Sequence, residues 1–185
     1  MVSTASRTKT YDDYLNTPDD GRHYELFDGE IFVSPTPNQR HQWIASDIHF
    51  LLASFVKTNK LGKVASSPLA VRLSTNIVLE PDLLFIRKGS SADNLTTTWI
   101  EGAPALVVEI LSKSTASRDV NRKRELYEQY GVEEYWIVDP VKQTILALSL
   151  VDGSYQSIPQ QDGNFASRAL PGLEINVPAL FAQAF

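Results

Sequence analysis

The sequence predicts an α/β protein in the broad sense, one that contains both helices and strands. Its arrangement is α+β, with a mixed sheet flanked by helices. Residues 105–111 are apolar at all but one position, which is typical of a central strand buried on both faces. Residues 39–60 carry apolar side chains at helical spacing. The predicted elements follow the order helix, hairpin, long helix, several strands, helix and strands, which matches neither a regular βαβ repeat nor a sandwich.

The first predicted elements are a short helix, a hairpin and a long helix. Thr10 is a suitable N-cap for the short helix, which has acidic residues in its first turn. Two β-prone runs on either side of Asp28 and Gly29 predict a hairpin with a tight turn. The long helix is predicted over about 39–60, and Gly62 stands where a helix commonly stops.

Strands and a third helix are predicted in the rest of the chain. The third helix begins at Ser114 or Thr115 and continues to about Tyr130, where Gly131 ends it. Strands are predicted at 63–66, 69–73, 82–86, 105–111, 134–138 and 144–150, and a short closing helix near 178–185.

Length and composition favour one domain with a real core. The chain has 185 residues, of which 43% are hydrophobic. We expect a single domain over residues 1–185, with a core of about 10–150 and a β-rich C-terminal extension over 151–185. Cysteine is absent, which excludes disulfides and thiolate metal sites and fits a reducing compartment. No secretory signal or membrane helix is expected, so we predict a cytoplasmic protein with no membrane partner.

The charge balance does not favour nucleic-acid binding. The formal net charge is −5, which counts against a polyanionic partner. The charge is uneven, however, because Arg118, Arg122, Lys123 and Arg124 form a local basic cluster. Acidic metal ligands would also lower the total.

Two carboxylates conflict with their surroundings, and such conflicts often mark function. Glu109 lies inside the most apolar strand, where a lone carboxylate costs several kcal/mol unless a partner compensates. The alternative is a glutamate at the end of the sheet whose head reaches water. Asp82 follows Pro81 at the start of a strand, and the alternative there is an ordinary turn aspartate.

Lys123 is the third residue that conflicts with its surroundings. At about 100° per residue, it falls in the middle of the apolar arc formed by Leu126, Tyr127 and Tyr130. The other charged residues of this helix lie outside that arc. The lysine is therefore predicted to point toward the core, with a snorkelling surface lysine as the alternative.

Together these residues predict a metal site beside a lysine. The strand of Glu109 and the helix of Lys123 are consecutive, and the strand that Asp82 starts can pair with that of Glu109. Hard carboxylate oxygens suit Mg²⁺ or Mn²⁺. Such an ion polarises a phosphate and activates water, while the ammonium stabilises the developing charge.

Four segments, taken in order, resemble the Uma-type restriction endonuclease family of the PD-(D/E)XK nuclease superfamily. They are residues 24–30, 80–85, 107–112 and 133–140. The resemblance implies a restriction-endonuclease-like core and a metal-dependent endonuclease that hydrolyses phosphodiester bonds of DNA. It also implies Asp82 and Glu109 as metal ligands, and Glu25 as a further catalytic residue that binds the ion directly or through a water. Glu30 could take that place, or Glu25 could be a simple hairpin residue.

The chain departs from the family pattern at one position. The signature has lysine two residues after the glutamate, whereas this chain has Leu111 there and Lys113 two positions further on. We therefore predict that the catalytic lysine has moved to Lys123 on the next helix.

Other functions remain as alternatives. The first is a nuclease fold kept for nucleic-acid binding or assembly without cutting, which the net charge and Leu111 favour. A two-carboxylate glycosidase is a third class, and it would need no lysine. Zinc is not expected, since His41 and His49 lie about two helical turns apart on one helix, too far to chelate one ion; His41 could instead touch substrate.

A homodimer is expected, because cutting both strands of a duplex usually takes two active sites. The recognised base sequence, and the choice between DNA and RNA, stay open at this point.

Overall fold

The computed structural model describes residues 7–27, 29–34, 36–94, 98–112 and 119–183. Its helices are α1 (Tyr11–Leu15), α2 (Gln39–Thr58), α3 (Arg124–Gln129) and α4 (Val177–Gln183). Its strands are β1 (His23–Phe27), β2 (Glu30–Ser34), β3 (Gly62–Ser66), β4 (Val71–Ser74), β5 (Ile77–Leu79), β6 (Leu83–Arg87), β7 (Ile100–Glu101), β8 (Leu106–Ile110), β9 (Glu134–Asp139), β10 (Thr144–Val151), β11 (Ser154–Ser157), β12 (Asn164–Ala166) and β13 (Glu174–Asn176).

The larger sheet has six strands in the order β11-β10-β9-β8-β6-β3. Strand β8 is parallel to β9 and antiparallel to β6, so the sheet is mixed, as the sequence predicts. Every residue of β8 is buried, which fits its apolar sequence and its central place. The strand that follows Asp82 does pair with the strand of Glu109, since Leu83 lies opposite Val108.

A second sheet carries the hairpin. Its strand order is β2-β1-β5-β4-β7, with β1 and β2 paired so that Phe27 lies opposite Glu30. Gly29 has a φ of +80°, a left-handed conformation that glycine adopts without steric cost. Asp28, the other predicted turn residue, lies outside the described residues.

Helix α2 packs on the larger sheet through its predicted apolar stripe. Ile44, Ile48, Leu52 and Val56 are buried in a cluster with side chains of β6, β8 and β9. The helix ends at Thr58, earlier than Gly62. Gly62 instead begins β3, where an added Cβ would lie only 2.0 Å from the carbonyl oxygen of Ile86 across the strand pair.

The described part of the helix after β8 includes a segment that differs from a regular α-helix. Residues Asp119–Lys123 form a π-helical turn that continues into α3. Gly131 follows with a φ of +82°, which confirms the predicted end of this helix. The predicted start at Ser114 or Thr115 lies outside the described residues.

The C-terminal segment packs onto the same core as α2. Phe165, Ile175, Leu180 and Phe181 join the hydrophobic cluster that α2 shares with β8 and β9. The predicted β-rich extension is therefore continuous with the core in packing, while the single-domain boundaries stay a prediction. None of the helices in the described part of the chain has the length and apolar character that crossing a membrane requires.

Glu134 is a buried carboxylate that holds this C-terminal segment against β9. It accepts hydrogen bonds from Trp136 Nε1 (2.5 Å), Ser167 Oγ (2.9 Å) and the backbone N–H groups of Arg168 and Ala169 (both 2.6 Å). Burial raises the pKa of Glu134, and these donors oppose the rise. A carboxylate with four donors is well satisfied, so its role is structural.

Replacing Glu134 with alanine is expected to destabilise the fold by about 3–5 kcal/mol, because buried donors lose their acceptor. Urea unfolding measures this free energy. The matched control is Glu133→Ala, since Glu133 is exposed and pairs with exposed Arg87, a contact worth at most about 1 kcal/mol. Equal losses in the two variants would contradict the structural role of Glu134.

Candidate active site

A cavity of about 690 Å³ lies beside the first turns of α2, where strands β6 and β8 meet. Asp82, Glu109 and Lys123 all line it, so the structure brings together three of the four site residues that the sequence predicts. The fourth, Glu25, lies directly behind Lys123.

Lys123 is buried between two carboxylates. The residue is 4% exposed, so its ammonium does not snorkel to water. Its Nζ lies 2.8 Å from Glu109 Oε1 and 2.9 Å from Glu25 Oε1. Both carboxylates are also buried, so the loss of any one partner would leave an uncompensated buried charge and would be costly.

Glu109 is the penultimate residue of β8 and is 3% exposed, so the alternative in which its head reaches water does not hold. Its Oε1 accepts a hydrogen bond from the Tyr127 hydroxyl at 2.8 Å as well as from Lys123. Burial raises the pKa of Tyr127 well above its ordinary value, and the Glu109 carboxylate adds to the rise. Tyr127 therefore remains a protonated donor to Glu109 over the whole physiological pH range.

Asp82 is held in one orientation at the cavity wall. Its Oδ2 accepts the backbone N–H of Ile110 at 2.7 Å and lies 3.1 Å from His41 Nε2. The hydrogen bond to Ile110 spans the β6–β8 pair, so Asp82 lies next to Glu109 across the sheet. The side chain is 20% exposed, unlike the deeply buried Glu25 and Glu109.

Glu25 connects this cluster to the second sheet. It lies on β1, is 1% exposed, and its Oε1 accepts the backbone N–H of Glu80 at 3.0 Å as well as contacting Lys123. A simple hairpin residue would not be buried in this way. Glu30, the alternative to Glu25, is exposed beside the hairpin turn.

Glu80 and His23 are site residues that sequence reasoning missed. Both line the cavity, and His23 Nδ1 lies 2.9 Å from Glu80 Oε2 while the Tyr14 hydroxyl donates to Glu80 Oε1 at 2.8 Å. The available signal was the position of Glu80, two residues before Asp82 in a family segment. Nothing local in the sequence pairs it with His23.

The predicted basic cluster does not act as one patch. Lys123 is buried, whereas Arg122 is partly exposed and bonded to Glu125 at 2.8 Å. Arg118 lies outside the described residues. Among the residues that the structure describes, Lys123 is the one lysine or arginine that lines the cavity.

The donor set of the cavity fits a divalent cation. Glu80, Asp82 and Glu109 line the cavity together with Lys123, so among the described lining residues carboxylates outnumber ammonium groups. Oδ1 of Asp82 has no hydrogen-bond partner among the described residues, and its side chain borders the cavity. Two carboxylates are enough for Mg²⁺, which keeps several of its waters.

The described residues do not form a complete protein cage for a metal ion. Within residues 7–27, 29–34, 36–94, 98–112 and 119–183, no three His, Cys, Asp or Glu side chains are grouped so that they could hold an ion. The Lys123 ammonium lies between Glu25 and Glu109. Asp82 and Glu109 line the cavity and Glu25 does not, so the first two are the better placed pair, and Glu25 as a ligand stays a prediction.

Comparisons with known proteins agree with this architecture. Residues 11–178 match the family model of Uma2, described as "Putative restriction endonuclease". A crystal structure from Anabaena variabilis ATCC 29413, described as a "putative nuclease belonging to DUF820", matches with a TM-score of 0.80 at 19% identity, covering 95% of this chain and 99% of that one. No curated protein matches.

The family match and the fold together indicate a protein of the restriction-endonuclease-like class. The chain belongs to the Uma2 family.

Stability at high pH should depend on Tyr127. Below about pH 10 the phenol is neutral in folded and unfolded chains; above it, only the unfolded chain loses the proton, so stability falls as pH rises. Tyr127→Phe should reduce this fall by up to about 1.4 kcal/mol per pH unit. The midpoint of urea unfolding, measured between pH 8 and 11, reports this fall in stability. If the midpoint falls equally with pH in the wild-type chain and in Tyr127→Phe, the fall does not arise from Tyr127.

Proposed function

We propose that this chain is a metal-dependent endonuclease that hydrolyses phosphodiester bonds of DNA. The observation that carries the proposal is the buried ammonium of Lys123, 2.8 Å from Glu109 at the wall of a cavity that Asp82 also lines. Burying a lysine between two carboxylates carries a large desolvation cost. Such an arrangement beside an open cavity is therefore more typical of a functional site than of a residue that only stabilises the fold.

Each site residue has a separate role in this proposal. Asp82 and Glu109 would hold Mg²⁺ or Mn²⁺, with Glu25 as a further ligand or as the residue that fixes Lys123. A divalent ion held there would supply polarisation of the phosphate and activation of a water molecule. Lys123 places a positive charge near the phosphate in a site of low dielectric, where it stabilises the charge that develops during hydrolysis.

The neighbouring residues keep the lysine ready for this role. Glu25 and Glu109 hold the ammonium in place through two short ion pairs. Tyr127 donates to the same oxygen of Glu109, which restricts the rotation of that carboxylate. The lysine therefore needs no reorganisation when substrate binds.

The DNA substrate is supported by the family description and by the chemistry of the site. A homodimer would let two such sites act on opposite strands of a duplex. We propose action in the cytoplasm, which agrees with the absence of cysteine.

A second candidate is a nucleic-acid-binding or assembly protein that keeps the nuclease fold without cutting. Two observations favour it: Leu111 stands where the signature has lysine, and the net charge is −5. This candidate predicts that no nucleic acid is cleaved, whichever divalent metal ion is present.

The test uses labelled duplex DNA, single-stranded DNA and RNA of matched sequence, each with Mg²⁺, Mn²⁺ or chelator. The proposal expects metal-dependent cleavage of DNA that Glu109→Gln reduces by at least about 100-fold. Cleavage that persists in this variant points to a contaminating nuclease and overturns the assignment of Glu109 to the active site. Metal binding without cleavage of any substrate favours the second candidate.

A further inference from the structure

His41 is a buried residue of the cavity wall that the proposed reaction does not yet use. It lies in the first turn of α2, where its backbone N–H is bonded to the Asn38 side chain at 3.0 Å. The residue is 6% exposed, and its ring Nε2 lies 3.1 Å from Asp82 Oδ2. Its other ring nitrogen, Nδ1, is buried without a hydrogen-bond partner among the described residues.

The hydrogen-bond pattern places the proton of this ring. A carboxylate oxygen is a hydrogen-bond acceptor, so the 3.1 Å contact is a hydrogen bond when the ring carries its hydrogen on Nε2, the tautomer that this geometry favours. His41 therefore donates to Asp82 Oδ2. The same oxygen accepts the Ile110 backbone N–H at 2.7 Å. Two N–H donors from different elements, α2 and β8, thus engage one oxygen of Asp82.

This arrangement leaves the two oxygens of Asp82 unequal. Oδ2 is occupied by its two donors, whereas Oδ1 has no partner among the described residues. An ion in the cavity can then bind Asp82 through Oδ1 alone. Mg²⁺ and Mn²⁺ accept single carboxylate oxygens in octahedral sites, whereas Ca²⁺ takes more ligands and often uses both oxygens of a carboxylate.

We propose that His41 is a positioning residue that restricts Asp82 to one-oxygen ligation and so makes the site selective for Mg²⁺ and Mn²⁺ over Ca²⁺. The inference rests on the proposed function, because it concerns the ion of that same site. The ring acts through Asp82 and needs no contact with substrate.

The experiment measures the affinity of Mn²⁺ and of Ca²⁺ by isothermal titration calorimetry, without any nuclease assay. His41→Ala and His41→Phe both remove the donor, and the phenylalanine keeps most of the ring volume if alanine prevents folding. Each variant is expected to bind Mn²⁺ about 10-fold to 100-fold more weakly, since loss of a residue that supports a ligand has this effect. The ratio of Mn²⁺ to Ca²⁺ affinity should fall by at least tenfold.

Two further variants separate positioning from a structural role. In His41→Gln the amide N–H can occupy the place of Nε2–H, so this variant should recover most of the Mn²⁺ selectivity. Asp47→Asn is the matched control, because Asp47 lies on the same helix but does not line the cavity, and it should bind like the wild-type chain.

The outcomes distinguish this inference from the proposed function. Wild-type binding of Mn²⁺ with an unchanged affinity ratio in the donor-free variants overturns the role of His41 and leaves the nuclease proposal standing. A wild-type chain that binds neither ion overturns both.

Discussion

Replacing Lys123 with methionine is expected to abolish DNA cleavage and to lower the stability of the fold by about 3–5 kcal/mol. Methionine keeps the length of the side chain but removes its charge. Glu25 and Glu109 would then face each other in a buried site without the ammonium that lies 2.9 Å and 2.8 Å from them. The loss is large because two charged carboxylates remain desolvated and repel one another.

The stability part of this prediction is tested by urea unfolding of Lys123→Met with a double variant as control. Adding Glu25→Gln removes one of the two opposed carboxylates, so Lys123→Met/Glu25→Gln should recover a large part of the lost stability. Cleavage should stay absent in both, because neither carries the lysine. A double variant that is no more stable than Lys123→Met would contradict the electrostatic explanation.

Replacing Asp82 with asparagine is expected to have the second large effect, a loss of Mn²⁺ affinity of more than about 100-fold. Losing a residue that only supports a ligand costs about 10-fold to 100-fold, and Asp82 is proposed to be a ligand. The Ile110 N–H and His41 Nε2–H both need an acceptor at the position of Oδ2. The asparagine must place its carbonyl oxygen there, which turns its NH₂ group toward the cavity and the cation.

The measurement is a Mn²⁺ titration by calorimetry, with the thermal unfolding temperature as a check on the fold. Asp47→Asn is the matched control, since Asp47 is on α2 but does not line the cavity. That variant should bind Mn²⁺ like the wild-type chain. Undiminished binding by a folded Asp82→Asn variant would remove Asp82 from the proposed metal site.

Much of this site could be predicted because its residues violate local patterns. Glu109 is the one carboxylate in an apolar strand, and Lys123 is the one charged residue on an apolar helical face. Both conflicts have one cause, since the two side chains are buried together. The prediction for Lys123 used α-helical geometry although residues Asp119–Lys123 are π-helical. It still located the buried face, because Leu126 and Tyr127 of the adjoining α-helix are buried.

The remaining parts of the site depend on contacts between distant segments. His23 lies 57 residues before Glu80, and His41 lies 41 residues before Asp82. Strand β5 brings the first pair together by pairing with β1, and its three residues are too short for a periodic pattern. Such contacts follow from the sheet order, which local periodicity does not determine.

The central claim is that the cluster of Asp82, Glu109 and Lys123 cuts DNA with a divalent ion. The most direct measurement is the nicking of supercoiled plasmid by the wild-type chain, Asp82→Ala, Glu109→Ala and Lys123→Ala in Mg²⁺, Mn²⁺ and chelator. We expect nicking by the wild-type chain alone, and only with metal. Nicking that survives in the three variants, or that continues in chelator, would contradict the claim.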